Sequence, residues 1–132
     1  MSWTNLQRRC KKATDQMGKL KDNLIYLQNE VVPIAERLNA IMRGGNLYVK
    51  GFGLNLTTGL LHVFDWGKYG VWNNRSQKVM DRLRRLPYLS TSNLGQSYSR
   101  FNSNLQELGK ELEIDLVQLD GFLWWVDENK IV

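Results

Sequence analysis

Apolar side chains recur along this chain at the spacing of an α-helix. In the first third of the sequence they follow alternating steps of three and four, which places them on one side of a helix in a heptad pattern. This stripe contains Trp3, Leu6, Cys10, Ala13, Met17, Leu20, Leu24, Leu27, Val31, Ile34, Leu38 and Ile41. Thr4 and Gln7 have the spacing of a capping box, which predicts that a helix starts near Asn5.

Pro33 interrupts this stripe. Its ring removes a backbone donor and disfavours helical geometry at the preceding residue. We therefore expect one long helix to about Glu30 and a second helix from Pro33 to Arg43. A heptad of this length suits either a coiled-coil dimer or packing within one domain. Packing within the domain is favoured by Gly18, Pro33 and the small residues Cys10 and Ala13.

The remaining apolar residues predict four further helices. They cover Leu54 to Phe64, the segment from a cap at Asn73 or Asn74 up to Pro87, Tyr98 to Leu112, and a short segment after Asp115 that reaches Val126. No stretch shows sustained alternation of polar and apolar residues, so a sheet is not expected. The predicted fold class is all-α with about six helices. We expect a single domain over residues 1–132, with a long amphipathic helix at 1–31 and a core at 33–126.

Charge is distributed unevenly along the sequence. Residues 1–104 hold 16 Lys and Arg against six Asp and Glu, a net of +10. Residues 105–132 hold two Lys against seven acidic residues, a net of −5. We therefore expect the acidic end to form a separate face and the remainder to form a basic surface that suits a polyanion. Ordinary solubilising charge is the alternative interpretation.

The stretch VKGFGLNL, Val49 to Leu56, places two glycines around one aromatic residue just ahead of a predicted helix. The glycines allow a sharp turn that points Phe52 into the core. Backbone amides near Gly53 would then face outward at a helix N-terminus, where the helix dipole favours an anion. The candidate phosphate site comprises Lys50, Gly51, Gly53 and Asn55.

A second basic element lies in the segment KVMDRLRRL, which begins at Lys78. Helical steps of four and three place Lys78, Arg82 and Arg85 on one face. Arg75 extends this row by one turn. Such a row can follow the phosphates of a nucleic-acid backbone. A solvated helix face is the alternative, and the neighbouring glycine turn favours binding.

The glycine turn and the segment after it resemble two motifs of one protein family. The turn has the pattern of an apolar residue, any residue and then Gly-apolar-Gly, followed by a predicted helix. This pattern resembles the helix-hairpin-helix motif of DNA repair proteins. The segment VWNNRSQKVMDRL, Val71 to Leu83, is similar to the turn and helix that follow this hairpin in DNA glycosylases. The resemblance covers residues 49–83. It implies a helix-hairpin-helix core of the DNA-glycosylase type that binds DNA.

Two departures from the family pattern concern its chemistry. Lyase-type glycosylases carry a lysine nucleophile where this chain has Asn55, and the family's catalytic aspartate falls on Asn73. An amide supplies neither an amine nucleophile nor an ionised carboxylate. The resemblance therefore implies a scaffold without glycosylase chemistry. Trp72 and Asn73 are candidates for a pocket that receives a base.

A second resemblance covers roughly residues 45–126. The order of motifs is similar to that of helical domains fused ahead of the motor domain in methylcytosine-dependent restriction NTPases and related defence proteins. The residues that carry it are YGVWNNRS at Tyr69 to Ser76, then Tyr98 and Phe101, and LDGFLWW at Leu119 to Trp125. The motor's GxxxxGK[ST] motif does not occur in this sequence. Together the resemblances imply a role in DNA repair or in restriction and defence.

Other residues with chemical potential are few. His62 is the single histidine and Cys10 the single cysteine, so no standard zinc set can form, and we expect no metal and no cofactor. Trp72 either stacks on a base or lies in the core. Of the adjacent Trp124 and Trp125, at least one is expected to close the core.

The sequence therefore predicts a non-catalytic DNA-binding domain that grips the phosphate backbone of a duplex rather than a single strand. One rival is a base-acting, glycosylase-like enzyme with an altered active site at Asn55 and Asn73. The other is a protein-interaction module that binds a protein partner through the heptad from Leu6 to Leu27. No apolar run approaches a membrane span and the N-terminus lacks an apolar signal segment, so we expect a soluble, cytoplasmic protein.

Overall fold

The computed structural model describes residues 3–131, and it describes the side chains of this range except those of residues 3, 5, 6, 9, 10 and 12–15. Within this range it contains six helices and no strand, which confirms the predicted all-α class. The helices are α1 (Trp3–Leu27), α2 (Ile34–Ile41), α3 (Leu54–Phe64), α4 (Asn74–Arg82), α5 (Leu94–Leu112) and α6 (Leu116–Asn129). None of the described helices combines the length and the apolarity that a membrane span needs.

The ends of α1 and α2 follow the sequence signals only in part. α1 already includes Trp3 and Thr4, so the prediction that Thr4 caps the helix is wrong. It ends at Leu27, three residues before the expected Glu30. Pro33 then acts as the N-cap of α2, because its fixed φ suits the start of a helix and its missing N–H has no role there.

The heptad stripe of α1 packs within the chain at its C-terminal end. Leu27 is fully buried, and Leu20 and Leu24 pack partly against the core. Asn23 is also buried, and its side-chain amide donates to the Leu47 carbonyl at 3.0 Å. Met17 is 63% exposed, and the stripe positions nearer the N-terminus fall outside the described side chains.

The most extensive helix pair is α2 with α5, and a glycine allows their close approach. A Cβ atom on Gly95 would lie 1.9 Å from the carbonyl oxygen of Ala35, so a side chain there would push the two helices apart. The Gly95 amide donates to Asn39 Oδ1 at 2.8 Å, and Asn39 Nδ2 donates to Asn93 Oδ1 at 2.9 Å. Close backbone packing and hydrogen bonds therefore fix α2 against the start of α5.

α6 packs through one stripe and leaves its tryptophans outside. The stripe consists of Leu116, Leu119, Leu123 and Val126, which recur at steps of three and four and are all buried. Trp124 and Trp125 flank the stripe and are each 49% exposed, so the expectation that one of them closes the core is wrong. The smaller aliphatic side chains already fill the interface with the rest of the core.

A buried arginine joins three segments of the chain. Arg37, on α2, is only 2% exposed. Its guanidinium donates to the Leu27 carbonyl at 2.7 Å and to the Tyr69 hydroxyl at 2.7 Å, and it forms an ion pair with Glu30 at 3.4 Å. Glu30 also accepts from Lys68 at 2.7 Å, and this bond is the main reason that the pKa of the Glu30 carboxyl is lowered. The cluster ties the α1–α2 connection to the segment before α4.

We predict that Arg37→Gln lowers the free energy of unfolding by about 2–4 kcal/mol, because it leaves a buried carbonyl and a buried hydroxyl without their donor. Urea denaturation followed by circular dichroism measures the change. Arg43→Gln is the matched control, because Arg43 is exposed, and it should change stability by at most about 0.5 kcal/mol. Equal effects of the two substitutions would contradict a structural role for the Arg37 cluster.

Candidate nucleic-acid interface

The glycine stretch forms a turn that ends at the start of α3. Gly51 has φ +100°, a left-handed backbone conformation that residues other than glycine rarely adopt. The Phe52 amide donates to the Val49 carbonyl at 3.0 Å, which closes the turn. As predicted, Phe52 is buried, at 8% exposure, and α3 begins at Leu54. Lys50, Gly51 and Gly53 are exposed on the other side of the turn.

This turn lies at the end of a long connection between α2 and α3. Residues 42–53 separate the two helices, so the glycine turn does not span the connection by itself. Among the described helices, the closely packed pairs are α2 with α5, α4 with α6, α1 with α2, and α5 with α6. α3 is not among these pairs, although its Thr57, Thr58 and Leu61 side chains are buried.

α3 begins without a capping side chain. Its N-cap is Gly53, in an extended conformation, and no side chain of the described residues accepts a hydrogen bond from the first-turn amides. By contrast, α4, α5 and α6 start with side-chain caps from Asn73, Asn93 and Asp115. The exposed start of α3 thus leaves backbone donors and the positive end of the helix dipole open to an anion. Lys50 lies just ahead of these amides, is exposed, and takes part in none of the ion pairs of the described residues.

Residues 68–72 lie in the connection between α3 and α4, and they are exposed at Lys68, buried at Tyr69, Gly70 and Trp72, and partly buried at Val71. The Gly70 amide donates to Asn102 Oδ1 at 2.7 Å, and the Tyr98 hydroxyl donates to the Gly70 carbonyl at 2.7 Å. Burial raises the pKa of the Tyr98 hydroxyl above its usual range, so this group remains a donor. Asn102 Nδ2 also donates to the Lys68 carbonyl at 2.9 Å. α5 therefore fixes the backbone that leads into α4.

α3 holds the same segment from the opposite side. The Trp72 amide donates to Thr58 Oγ1 at 2.9 Å, and Thr58 Oγ1 donates to the Leu54 carbonyl at 2.7 Å. The ring nitrogen Nδ1 of His62 lies 2.7 Å from the Tyr69 carbonyl, which can only accept, so Nδ1 carries the proton of this bond. These bonds bring the N-terminal end of α4 beside the N-terminal end of α3.

The two helix starts enclose a small groove of about 160 Å³. Its lining contains four carboxamides, which can both donate and accept hydrogen bonds. None of its lining side chains is charged. The lining residues are Leu54, Asn55, Trp72, Asn73, Asn74 and Gln77. The structure therefore brings together Asn55 and Asn73, the two positions at which the resemblance to glycosylases predicts catalytic groups.

The predicted base-pocket residues both have partners within the chain. Trp72 is only 5% exposed, and its ring stacks on Phe101 with centroids 5.2 Å apart. Its indole N–H donates to Gln77 Oε1 at 2.7 Å. Asn73 is the N-cap of α4 and accepts from the Ser76 amide at 2.8 Å in a capping box. Both residues border the groove while they serve the fold.

The basic row of α4 faces an acidic residue of α6. Asp127 accepts from Arg75 Nε at 3.2 Å, lies 2.6 Å from Lys78 Nζ and 4.0 Å from Arg82 Nη1. The bond from Lys78 is the main cause of the lowered pKa of the Asp127 carboxyl. Arg75 also pairs with Glu128 at 3.0 Å. Three of the four predicted cations therefore contact Asp127. The fourth, Arg85, lies beyond the end of α4 at Arg82, after a left-handed residue at Arg84, so the prediction that Arg85 continues the same helix face is wrong.

The acidic end of the chain is not a separate face, contrary to the sequence-based expectation. α6 packs along α4, and Glu111 of α5 pairs with Arg85, so acidic residues lie against the whole predicted basic row. This pair lowers the pKa of the Glu111 carboxyl. Charge counted along the sequence separates the two halves, whereas helix packing interleaves them.

Sequence reasoning missed the residues that complete this surface. Asp127 and Glu128 neutralise part of the row, and Asn74 and Gln77 complete the groove. For the groove residues a signal existed, because they fall on the first turn of the helix capped by Asn73. No local signal existed for Asp127, because its partner Arg75 lies 52 residues away in the sequence.

Comparison with known proteins identifies no relative of this chain. No family model matches this chain, and neither curated proteins nor solved structures give a match.

We predict that Gly51→Ala destabilises the protein by about 1–2 kcal/mol, because alanine is strained at positive φ. Gly53→Ala is the matched control. The backbone at Gly53 is extended, so this substitution should cost less than about 1 kcal/mol. An added Cβ meets no atom within 4 Å at either position, so the comparison isolates backbone conformation. Chemical denaturation measures both, and a larger loss for Gly53→Ala would contradict this account of the turn.

Proposed function

We propose that this chain binds DNA without cleaving it and that the start of α3 holds a backbone phosphate. The observation that supports this most directly is the uncapped helix start beside an exposed lysine. The amides after Gly53 have no side-chain acceptor and Lys50 makes no ion pair among the described residues. A phosphate oxygen supplies both the acceptor and the countercharge that this arrangement lacks.

In this proposal the glycine turn has the same role as the hairpin of the helix-hairpin-helix motif in DNA repair proteins, which it resembles in sequence. Gly51 and Gly53 have no side chain, so the backbone can approach a phosphate closely. Asn55 is exposed on the first turn of α3 and can donate a further hydrogen bond. Contacts of this kind position a duplex but do not read its sequence.

The α4 row contributes less to DNA binding than its charge suggests. Arg75 and Lys78 already contact Asp127, and Arg85 already pairs with Glu111. A phosphate therefore has to compete with these carboxylates. We assign the primary phosphate site to the α3 turn and a secondary site to the row of Arg75, Lys78, Arg82 and Arg85.

The residues of the groove support the proposal that the protein does not cleave DNA. Asn55 and Asn73 are amides, and the Asn73 side chain is committed to the cap of α4. No lining residue of the groove is a carboxylate, an amine or a thiol, so the groove contains no nucleophile or general base for base excision.

A second candidate function, recognition of an unpaired base, is favoured by the groove itself. A neutral groove with four carboxamides offers the mixed donors and acceptors that the edge of a base requires. Asn55 connects the two candidates, because it belongs both to the groove and to the first turn of α3. Binding to a duplex with one unpaired base distinguishes them.

We predict that Lys50→Ala weakens binding to a short duplex about tenfold at about 50 mM salt. The slope of log affinity against log salt should become shallower by about 0.9, because the protein then neutralises one phosphate fewer. Fluorescence anisotropy at several salt concentrations measures both quantities. Lys110→Ala is the matched control, because Lys110 is an exposed lysine on α5, and it should change little.

Equal effects of Lys50→Ala and Lys110→Ala would contradict a phosphate site at the α3 turn. Absence of binding by the unaltered protein at low salt would contradict DNA binding altogether. If the protein binds the duplex with one unpaired base at least tenfold more tightly than the fully paired duplex, base recognition becomes the better description.

A further inference from the structure

One carboxylate lies at the centre of the interface between α4 and α6. Arg75, Lys78 and Arg82 all approach Asp127, at 3.2, 2.6 and 4.0 Å. The Asp127 side chain is only 13% exposed, whereas those of the three cations are 39–50% exposed. The carboxylate therefore lies beneath the cations, and the cations remain accessible from solvent.

The position of Asp127 is fixed by the fold. The preceding residue, Val126, is buried in the core, and so is Leu123 one turn earlier. α6 is held along α4 by this stripe. The backbone of Asp127 therefore cannot move away from the row without unpacking the helix, in contrast to that of a residue on a surface loop.

A shallow cleft of about 600 Å³ opens over this interface. Its lining residues are Lys78, Arg82, Asp127, Glu128 and Lys130. Lys130 adds a cation that sequence analysis did not identify, and it takes part in no ion pair of the described residues. With Arg75 included, four cations face two carboxylates, so the cleft keeps a positive surplus. A phosphate group fits the cleft in both size and charge.

We propose that Asp127 is a built-in competitor for phosphate in the α4–α6 cleft and limits how tightly this face binds a polyanion. The carboxylate engages Lys78 Nζ and the Nε donor of Arg75, which a phosphate in the cleft would otherwise use. Its negative charge also repels an incoming phosphate at short range. The inference rests on the proposed function, since it concerns regulation of the DNA-binding face by the chain's own charge.

The lowered pKa of Asp127 agrees with this arrangement. The hydrogen bond from Lys78 is its main cause, and Arg75 contributes further. The surrounding cations thus favour an anion at this point. Asp127 stays ionised at neutral pH, and competition with phosphate operates under ordinary conditions.

Asp127→Asn tests the proposal because it removes the charge and keeps the shape. We expect this variant to bind a short duplex about tenfold more tightly at about 50 mM salt, with a salt slope steeper by about 0.9 for each additional phosphate that the cleft neutralises. Asp120→Asn is the matched control, because Asp120 is exposed on the same helix and pairs with no cation among the described residues. It makes the same change in net charge and should have less than about a twofold effect.

A second substitution distinguishes a direct effect on binding from an effect on folding. Lys78→Gln should weaken binding by a smaller factor in the unaltered protein than in the Asp127→Asn background, because Asp127 already engages Lys78. In the Asp127→Asn background it should remove most of the increase in affinity. Thermal unfolding of each variant checks that α6 stays packed.

Three outcomes would overturn the inference. The first is equal binding by Asp127→Asn and Asp120→Asn while the unaltered protein binds through Lys50, which leaves the proposed function intact. The second is an equal loss from Lys78→Gln in both backgrounds, since no competition would then exist. The third is absence of binding by every variant at low salt, which would overturn the proposed function as well.

Discussion

The candidate interface depends on the hydrogen-bonded segment between α3 and α4. This segment, residues 68–72, enters the interior after the exposed Lys68, and its amides and carbonyls bond to side chains of α3 and α5. An unpaired polar backbone group would be costly at this depth, so Tyr98, Asn102 and Thr58 hold the segment in one position. A Cβ atom on Gly70 would lie 2.5 Å from the Leu105 side chain, so the backbone also packs tightly. This constraint places the starts of α3 and α4 side by side.

Electrostatics then decides which part of that interface is available. The start of α4 is capped by its own Asn73 and its cations face Asp127, whereas α3 begins without a capping side chain and next to Lys50. A basic net charge alone would favour the α4 row, because it contains more cations. The geometry favours the α3 turn, because a phosphate there displaces no carboxylate of the described residues. The α4–α6 cleft becomes a second and weaker site, limited by a carboxylate of the same chain.

The helices and several of their caps could be predicted from the sequence, because each depends on residues within a few positions. The spacing of apolar residues predicted all six helices, and the caps at Asn73 and Asp115 followed from local chemistry. The pairing of Asp127 with the α4 row could not be predicted, since periodicity gives the face of a helix but not its neighbour. The burial of Arg37 was missed for a similar reason: a charged residue is expected at the surface unless its partners are known. The relation between Asn55 and Asn73, which line one groove, was predicted only through a family resemblance.

The most direct test of the central claim is the change in backbone amide NMR signals when a short duplex is added. We expect the largest shifts at the amides of Gly51, Gly53 and Asn55, with smaller shifts along Arg75 and Lys78. These shifts should saturate together, with one affinity that falls as salt is raised. Largest shifts around the exposed Trp124 and Trp125, with none at the α3 turn, would contradict a phosphate site at the start of α3.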